Sequence, residues 1–410
     1  MCAWSTNRVV TLTTLRPISM ISVDQALQQI LSGLTQTCAE QVTLSNALGR
    51  VLAEDVTARL TQPSSAVSAM DGYAVKNSDV AACPAPLTVI GESAAGGCFD
   101  GDLQTGQAVR IFTGAPVPRG ADAIVIQENT TRDGDTVTVL DPTTLGRFIR
   151  PAGLDFKQGE VLIEVGRRLS ARDLGLAAAA NVPWLSVRRK PRIAIIATGN
   201  EVVMPGDPLG DNQIISSNSI MLAAYVTSLG GEALDLGIAR DDADSLKRLL
   251  RSAEQADMVV TIGGASVGDY DLVNSVLGSE GVDLGFYKVA MRPGKPLIFG
   301  RLHGTPVLGL PGNPVSVGVT SAVFLKPALQ TLLGVKVEGS DDTAILGADL
   351  DENDQRQDYL RATLIDTVAT PFSKQDSAML ARFADADCLI IRAPLAPAAK
   401  SGDRVRIVKL

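Results

Sequence analysis

The hydrophobic residues near the start of the chain recur with a helical period. From Val23 they stand at i, i+3, i+4, i+7 and i+8, and Ser22 occupies the position of an N-cap residue. A second, short helix is predicted over Leu44–Val51, and the helical signal returns over Ser170–Ala180. The pattern therefore predicts helices on both sides of a long segment that has no helical period.

Within that segment, apolar and polar residues alternate with a period of two, as in half-buried strands. The clearest alternating stretches are Ala108–Phe112, Ala123–Gln127 and Thr136–Leu140. Asp133 and Gly134, which precede the last stretch, are typical of a hairpin turn. This part of the chain is therefore predicted to be a β-rich domain inserted into a helical one.

After residue 190, short apolar strands alternate with helices of about 10–15 residues, which predicts a doubly wound, mostly parallel α/β sheet. The predicted strands are Ile193–Ala197, Ala233–Ile238, Met258–Ile262 and Pro306–Leu310. The predicted helices are Ser219–Leu229, one that follows Asp242, and Val315–Leu333. The tail returns to short alternating strands, namely Ala344–Leu346, Leu360–Leu364, Cys388–Arg392 and Arg404–Lys409.

These patterns predict a multidomain α/β plus β protein, which suits a chain of 410 residues. The predicted domains are a discontinuous helical N-terminal domain (18–60 and 148–190), a β-rich inserted domain (61–147), a central α/β domain (191–336) and a small C-terminal β-domain (337–410). Residues 1–17 carry no periodic pattern and are expected to be an extension.

Composition and net charge exclude or disfavour several kinds of ligand and site. The net charge of -8 gives no long-range attraction for nucleic acid or anionic lipid. His303 is the only histidine, so a multi-histidine metal site is excluded, and this residue is itself expected in a hairpin turn. The five cysteines have no C-x-x-C spacing, and no apolar run approaches the roughly 18 residues that span a bilayer. A reduced, cytoplasmic protein is therefore expected.

Polar segments rich in glycine follow several of the predicted strands, at residues 198–201, 240–242, 263–271, 291–296 and 310–316. Open α/β sheets bind ligands beyond the carboxyl ends of their strands. Glycine-rich loops that lead into helices present backbone N–H groups to phosphate or pterin-like anions. Neither the dinucleotide G-x-G-x-x-G motif nor the Walker G-x-x-x-x-G-K motif is present, which disfavours the commonest nucleotide-binding folds.

Acidic and basic residues both lie in these segments. The acidic ones, oxygen ligands of the kind that Mg²⁺ prefers, are Asp241, Asp242, Asp269 and Asp271. Capping of the following helix is an equally good explanation for Asp241 and Asp242. Arg292 and Lys295 supply cations for an oxyanion. The sequence thus predicts a site of mixed charge at one edge of the sheet.

Seven runs of sequence together resemble the molybdopterin molybdenumtransferase (MoeA) family, whose eukaryotic relatives include the gephyrin E domain. The runs, in order, are SAMDGYAV (68–75), FTGAPVP (112–118), TGNE (198–201), GGASVGDYD (263–271), RPGKP (292–296), LPGNPVS (310–316) and DSAMLARFADADCLI (376–390). The resemblance extends from about residue 20 to the end of the chain. It departs from the family at Asn200, where Asp is common, and at Arg292, which replaces a usual Lys.

This resemblance implies the last step of molybdenum cofactor synthesis, in which molybdate is inserted into adenylylated molybdopterin with Mg²⁺-dependent cleavage of the phosphoanhydride and release of AMP. The implied catalytic residues are Asp71, Thr113, Asp155, Glu201 and Asp271. The implied substrate-binding residues are Gly263, Gly264, Ser266, Arg292, Lys295, Pro311, Asn313, Ser316, Arg361 and Ser377. The implied metal ligands are Asp241 or Asp242 together with Asp271.

The resemblance also implies partners and two alternatives. A homodimer is expected, in which Asp71, Thr113 and Asp155 complete the cleft across the dimer interface, with transient contact to a molybdopterin adenylyltransferase and with no nucleic-acid or membrane partner. From the local sequence alone, Asp71 and Thr113 would be turn residues. The alternative functions are molybdopterin adenylyltransferase, which shares the α/β domain, and a non-catalytic gephyrin-like scaffold. The SAMDGYAV run and the tail disfavour the first, and the intact charged residues disfavour the second.

Overall fold

Residues 20–264, 283–335 and 342–410 are described in this computed structural model. The chain divides into two compact units, of which one is Gln41–Val187 and the other is formed by the chain before and after it. The unit formed by 41–187 is β-rich, and the second unit contains the α/β sheet and the tail.

Helix α1 (Val23–Ser32) begins with a reciprocal capping box. The backbone N–H of Gln25 donates to Ser22 Oγ at 3.1 Å, and the Ser22 N–H donates to Gln25 Oε1 at 3.0 Å. The buried residues of this helix are Val23, Ala26 and Ile30. They lie in the same hydrophobic core as the α/β sheet. Helix α1 therefore packs with that sheet, whereas the sequence pattern groups it with residues 148–190.

The helix predicted over Leu44–Val51 is wrong. The segment contains a single 3₁₀ turn, Leu44–Asn46, after which Val51 makes an isolated bridge to another part of the unit. Gly49, with φ at 73°, donates its N–H to the carbonyl of Leu169 at 2.9 Å. A left-handed residue at this point turns the chain out of the helical path, and only glycine adopts that conformation without cost.

A six-stranded sheet of order β7-β4-β6-β5-β9-β8 forms the centre of the unit 41–187. The elements of this part of the chain are β1 (Ala39–Thr43), β2 (Val56–Thr57), β3 (Val67–Ser68), β4 (Gly72–Val75), β5 (Ala85–Ser93), β6 (Gln107–Ile111), β7 (Ala123–Ile126), β8 (Thr130–Asp133), β9 (Thr136–Val139), β10 (Ile149–Arg150), β11 (Val161–Ile163), α2 (Ala171–Ala179) and β12 (Trp184–Arg188). The predicted hairpin is confirmed between β8 and β9. Because Asp133 pairs with Thr136, its two turn residues are Gly134 and Asp135.

The α/β sheet of the second unit has the order β16-β13-β17-β21-β20-β18. Its elements are β13 (Arg192–Thr198), β14 (Val202–Val203), β15 (Ile214–Ile215), α3 (Ser217–Ser228), β16 (Glu232–Ala239), α4 (Ala243–Ser252), β17 (Met258–Ile262), β18 (Asp283–Lys288), β19 (Met291–Arg292), β20 (Pro296–Leu302), β21 (Thr305–Leu310) and α5 (Pro314–Leu333). The first four strands of the sheet are parallel, and β20 and β18 run antiparallel to their neighbours.

Both faces of this sheet are covered, which confirms the doubly wound architecture. Ile193 and Ile195 of β13 join the core that contains α1, α3 and α5, whereas Ala194 and Ile196 join the core that contains α4. Alternate residues of a strand point to opposite faces, so a strand buried on both sides is apolar throughout.

Helix α5 contains an internal π-helical stretch, Ser321–Leu325. By length and composition alone it could cross a membrane, since it has 20 residues and a mean hydropathy of 1.2. However, 78% of that window is buried inside the structure, with Phe324, Leu325 and Leu329 fully enclosed. Helix α5 is therefore a core helix that packs against the sheet.

The tail, together with β19, forms the third six-stranded sheet of the described residues, of order β19-β23-β24-β22-β26-β25. Its further elements are β22 (Thr343–Leu346), β23 (Gln357–Ile365), β24 (Val368–Pro371), helix α6 (Leu380–Ala384), β25 (Cys388–Arg392) and β26 (Arg404–Lys409). Because β25 pairs with both β26 and β23, five of these strands close into a small barrel. Strand β24 and the two-residue strand β19 are additions to the predicted set.

Candidate active site

A cavity of about 480 Å³ lies at the carboxyl edge of the parallel strands in the α/β sheet. The loops after β13, β16, β17 and β21 and the start of β20 all contribute to it. Its lining residues are Ala197, Thr198, Gly199, Glu201, Val202, Ile214, Ile215, Ser216, Asn218, Asp241, Ile262, Gly263, Gly264, Pro296, Pro311, Gly312, Asn313 and Ser316. The edge at which the sequence places the polar segments is therefore the edge that carries a cavity.

The segment 291–296 connects β18 to β20. Strand β18 is antiparallel to β20, and β20 is antiparallel to β21, so β18 runs in the same direction as the parallel strands and its carboxyl end lies at the same edge. Ile298 pairs with Gly309, so the beginning of β20 lies beside the end of β21. The antiparallel direction of β20 thus brings Pro296 to the edge at which the parallel strands end.

Glycine forms part of the cavity wall where β17 ends. Gly263 has φ at 87° and donates its N–H to the carbonyl of Leu310 at 3.0 Å. A Cβ on Gly263 would lie 3.0 Å from Thr198 Oγ1, which itself donates to the carbonyl of Ile262 at 3.2 Å. The wall is therefore closely packed backbone, into which no side chain fits without displacement of Thr198.

Two carboxylates line the same cavity. Asp241 Oδ2 accepts from the backbone N–H of Asn200 at 3.1 Å, and Asn200 Oδ1 accepts from the N–H of Asp241 at 3.2 Å. This reciprocal pair joins the loops after β13 and β16. The Glu201 carboxylate lies over Gly199, since a Cβ built there would be 2.5 Å from Glu201 Oε2. The structure therefore places Glu201 and Asp241 in the lining of one cavity.

Asp242 occupies a different position from Asp241. It is the N-cap of helix α4, and its Oδ1 accepts from the backbone N–H of Ser245 at 2.7 Å. A capping carboxylate stabilises the first turn of a helix. Of the two neighbouring aspartates, Asp241 lines the cavity and Asp242 caps the helix.

The LPGNPVS segment joins the cavity to the tail. Asn313 Nδ2 donates to Ser377 Oγ at 2.9 Å, and the backbone N–H of Val315 donates to the carbonyl of Ser377 at 3.2 Å. Ser316 is buried in the first turn of α5. Ser377 is thus brought to the residues that line the cavity, as the predicted set requires.

Asn218 is a cavity residue that the sequence reasoning missed. It lies in the first turn of α3, and its Nδ2 donates to the carbonyl of Gly312 at 2.7 Å, while Oδ1 is buried without a hydrogen-bond partner among the described residues. The signal that could have found it is an amide side chain at the start of a helix beside this edge of the sheet.

Arg361 lies beneath the loop that carries Ser377. Its side chain is 1% exposed, and its guanidinium donates to Gln375 Oε1 at 3.2 Å and to the carbonyls of Lys374 and Met379 at 3.4 Å. Burial lowers the pKa of Arg361 below its usual value. In the described chain Arg361 therefore supports the loop and is not part of the cavity lining.

Arg292 is engaged by two carboxylates of the tail. Its Nε donates to Asp358 Oδ2 at 3.0 Å, Nη2 also contacts that oxygen, and Nη1 donates to Asp354 at 3.2 Å. The hydrogen bond to Asp358 raises the pKa of Arg292, whereas burial raises the pKa of Asp358 despite the opposing effect of Arg292. Lys295 is exposed, next to the cavity residue Pro296. Of the two predicted cations, Lys295 is therefore the one that forms no ion pair among the described residues.

The β-rich unit holds the remaining predicted residues that the structure describes. Asp71 Oδ1 accepts from both the backbone N–H and the hydroxyl of Thr113, each at 2.7 Å. These bonds, with the charge of Arg110, lower the pKa of Asp71. Asp155 is exposed, and its backbone N–H donates to the carbonyl of Gln62 at 3.0 Å. The structure thus shows a direct contact between Asp71 and Thr113.

Ser266, Asp269 and Asp271 lie outside the described residues. Within the described ranges, no group of three or more histidine, cysteine or acidic side chains could hold a metal ion. Glu201 and Asp241 nevertheless line one cavity, and Mg²⁺ is commonly held by one or two carboxylates together with water and substrate phosphates. The donor set therefore fits a magnesium ion that is bound together with a phosphate ligand.

His303 and the four described cysteines are not among the residues that line the cavity. His303, with φ at 49°, is in the turn between β20 and β21, as the sequence predicts. Cys38, Cys83, Cys98 and Cys388 are free thiols. Burial raises the pKa of Cys388 to about 11, so this thiol stays protonated at neutral pH.

The α/β domain that carries the cavity is of the molybdopterin-binding type. A family model described as a probable molybdopterin binding domain matches residues 194–331. The MoeA N-terminal region (domain I and II) matches 21–181, and the MoeA C-terminal region (domain IV) matches 343–410. The boundaries predicted for the four domains stay a prediction.

Similar proteins extend the match to most of the chain. A molybdopterin molybdenumtransferase of a Nostoc species is 40% identical over 73% of this chain and 71% of its own length. One of Haemophilus influenzae is 38% identical over 77% and 79%. A crystal structure of the molybdopterin biosynthesis MoeA protein from Pyrococcus horikoshii covers 95% of this chain and 99% of its own, with a TM-score of 0.84 and 32% identity. The chain belongs to the molybdopterin molybdenumtransferase (MoeA) family, enzymes of molybdenum cofactor biosynthesis.

Proposed function

We propose that this enzyme inserts molybdate into adenylylated molybdopterin, with Mg²⁺-dependent cleavage of the phosphoanhydride and release of AMP. The observation that carries the proposal is the cavity at the carboxyl edge of the sheet, which is lined by two carboxylates and by glycine-containing backbone. A cavity of about 480 Å³ lies in the size range of small-molecule sites. The relatives with this fold are named for molybdenum transfer to molybdopterin.

Glu201 and Asp241 would hold Mg²⁺ from this chain, with Asp271 as the further ligand that the family resemblance implies. When bound, the ion supplies positive charge against the charge that develops on the cleaved phosphoanhydride. Asp242 serves the site indirectly, because it caps the helix that follows Asp241. No imidazole is needed for this chemistry, which agrees with a chain whose single histidine lies in a hairpin turn.

Binding of molybdate or of the terminal phosphate is assigned to residues of the cavity and of the tail. Lys295 is exposed beside Pro296, and Ser316 and Asn313 line the cavity. Ser377 contacts Asn313 directly, and Arg361 holds the loop of Ser377 in place. Arg292 reaches the oxyanion only if the ligand competes with Asp358 and Asp354 for its N–H groups. This arrangement favours Lys295 as the first cation to meet molybdate or the terminal phosphate.

The proposal includes the setting of the reaction. The chain is expected to work as a cytoplasmic homodimer and to receive its substrate through transient contact with a molybdopterin adenylyltransferase. Sedimentation analysis tests the dimer, and a pull-down with the purified adenylyltransferase tests the contact.

The direct test is incubation of the purified protein with adenylylated molybdopterin, Mg²⁺ and molybdate. AMP and metallated pterin are expected in equal amounts. Formation of adenylylated molybdopterin from ATP and molybdopterin would instead identify an adenylyltransferase, and substrate binding with no turnover would identify a scaffold. Asp271→Ala is expected to fold normally and to release AMP slowly, and unchanged turnover in that variant would remove Asp271 from the mechanism.

Neighbouring aspartates provide a matched pair of variants. Asp241→Asn removes a carboxylate from the cavity and is expected to raise the Mg²⁺ concentration needed for half-maximal AMP release by about tenfold or more. Asp242→Asn keeps a good N-cap residue and should leave that concentration unchanged. Equal effects of the two substitutions would contradict the assignment of Asp241 as the ligand.

A further inference from the structure

Strand β6 of the β-rich unit carries an arginine whose side chain is held from several directions. Arg110 pairs across the sheet with Tyr73 of β4. Its guanidinium carbon lies 5.1 Å from the centre of the Tyr73 ring and 5.0 Å from that of Phe112. Nη2 donates to Gln127 Oε1 at 2.7 Å, and Nη1 donates to the carbonyl of Gly72 at 3.3 Å. These four contacts hold the guanidinium in one position.

None of these contacts neutralises the charge of Arg110. The two hydrogen-bond acceptors are an amide oxygen and a backbone carbonyl, and within the described ranges no carboxylate forms an ion pair with this guanidinium. Only two of its N–H groups have acceptors in that part of the chain. An arginine whose role is only structural would gain more from a carboxylate partner.

Near Arg110 lie Asp71 and Thr113, the two residues of this unit that the family resemblance implies are catalytic together with Asp155. Gly72, whose carbonyl accepts from Arg110, directly follows Asp71, and Thr113 lies three residues after Arg110. Thr113 is exposed, Asp71 is half-buried, and the two side chains are held together by two hydrogen bonds. The charge of Arg110 contributes to the lowered pKa of Asp71, which places the two groups within electrostatic reach of each other. A fixed cation that forms no ion pair among the described residues therefore lies near an exposed hydroxyl and a half-buried carboxylate.

The orientation of the guanidinium limits what it can bind. The Tyr73 and Phe112 rings and two hydrogen-bond acceptors already hold the guanidinium, so its remaining N–H groups are the part left for a ligand. The edge of a guanidinium matches two oxygens of a phosphate or a similar oxyanion, and a lysine in its place would supply only a point charge. The ring contacts also order the side chain in advance, so that it loses less conformational entropy when a ligand binds.

We propose that Arg110 forms an oxyanion-binding site on the β-rich unit, in which its edge N–H groups bind a phosphate or molybdate group next to Thr113 and Asp71. The anion binds reversibly, and no covalent step is involved. The identity of the anion rests on the proposed function, which supplies a phosphoanhydride and molybdate as the oxyanions present. The existence of the site rests only on the contacts of Arg110.

Calorimetric titration of the full chain with inorganic pyrophosphate and, separately, with molybdate tests the site and distinguishes the two anions. In Arg110→Gln, binding of at least one of them is expected to weaken by about tenfold or more. Arg110→Lys keeps the charge and should bind with intermediate affinity, which would separate recognition by the planar group from simple attraction. Arg132→Gln on β8 is the matched control, because Arg132 is exposed and its Nε donates only to the Gly134 carbonyl.

Circular dichroism of each variant checks that it folds. If Arg110→Gln does not fold, Phe112→Leu provides a second test of the site. This variant keeps Arg110 but removes one ring, so it should weaken the same anion by a smaller factor. The site is refuted if the wild-type chain binds neither anion, or if Arg110→Gln binds both as tightly as the wild type does. A wild type that binds anion through Arg110 but releases no AMP would refute the proposed function and leave the site intact. If Arg110→Gln turned over with unchanged KM and kcat, the site would be refuted and the proposed function would stand.

Discussion

Substitution of Gly263 by alanine should damage both the stability of the α/β domain and the cavity. Gly263 has φ at 87°, a conformation that costs an alanine about 1–2 kcal/mol. Part of this cost, about 0.5–1 kcal/mol, is offset because alanine has less conformational freedom than glycine in the unfolded chain. The backbone alone therefore accounts for a net loss of about 1 kcal/mol.

The surroundings of Gly263 add to this loss. The new Cβ would lie 3.0 Å from Thr198 Oγ1 and 3.1 Å from the Thr198 carbonyl oxygen, so Thr198 must move by a few tenths of an ångström. Thr198 is 6% exposed, and its hydroxyl donates to the carbonyl of Ile262. Weakening that hydrogen bond costs about 1 kcal/mol, which brings the expected destabilisation to about 2 kcal/mol. Because Thr198 and Gly263 both line the cavity, KM should rise as well.

Gly304→Ala is the matched control for this prediction. Gly304 also has a positive φ, at 90°, in the turn between β20 and β21, and a Cβ there would meet no described atom within 4 Å. It should lose only about 1 kcal/mol and keep the wild-type KM. Urea unfolding followed by far-ultraviolet circular dichroism measures the first effect, and AMP release measures the second. The reasoning would be refuted if Gly263→Ala and Gly304→Ala lost the same free energy of unfolding and had the same KM.

Three other substitutions test separate parts of the structure. Thr261→Val should stabilise the α/β domain by about 1 kcal/mol in calorimetry, because the buried Oγ1 of Thr261 has no hydrogen-bond partner among the described residues; a lower melting temperature would contradict this. Asp173→Asn should destabilise the β-rich unit by about 2–3 kcal/mol at pH 7, since Asp173 is buried and accepts from Ser170 and Arg167. Burial opposes ionisation of Asp173, but those hydrogen bonds lower its pKa overall. The Asp173 carboxylate therefore stabilises the folded state above the unfolded pKa, and this contribution is lost as pH falls through the folded pKa. The difference in free energy of unfolding between the wild type and Asp173→Asn should accordingly disappear in acid. Asn218→Ala should raise KM by about three- to tenfold with little change in melting temperature, and an unaltered KM would show that the tie to the LPGNPVS segment does not matter.

The fold was predictable wherever a short apolar run or a regular alternation of apolar and polar residues decides the structure. Strands Met258–Ile262, Cys388–Arg392 and Arg404–Lys409 agree residue for residue with the sequence pattern. The helix expected over Leu44–Val51 fails because the apolar pattern does not report the left-handed conformation of Gly49. Propensity and periodicity are local, and one residue that bonds to a distant carbonyl can override them.

The site was predictable as a location but not in the orientation of its side chains. The sequence could not decide between Asp241 and Asp242, because both stand where a helix begins and only the fold shows that Asp242 is the cap. Arg292 could not be known to pair with Asp358, which is 66 residues away, since that contact depends on the two-residue strand β19. Long-range ion pairs of this kind leave no periodic pattern in a sequence.

The most direct test of the central claim is the yield of metallated pterin per AMP released from adenylylated molybdopterin in the presence of Mg²⁺ and molybdate. The proposed function predicts a ratio of about one for the wild-type chain. It also predicts that AMP release from Asp241→Asn is slow at a Mg²⁺ concentration that saturates the wild type. AMP release without metal insertion, or full activity of the wild type in the presence of a chelator, would contradict the claim.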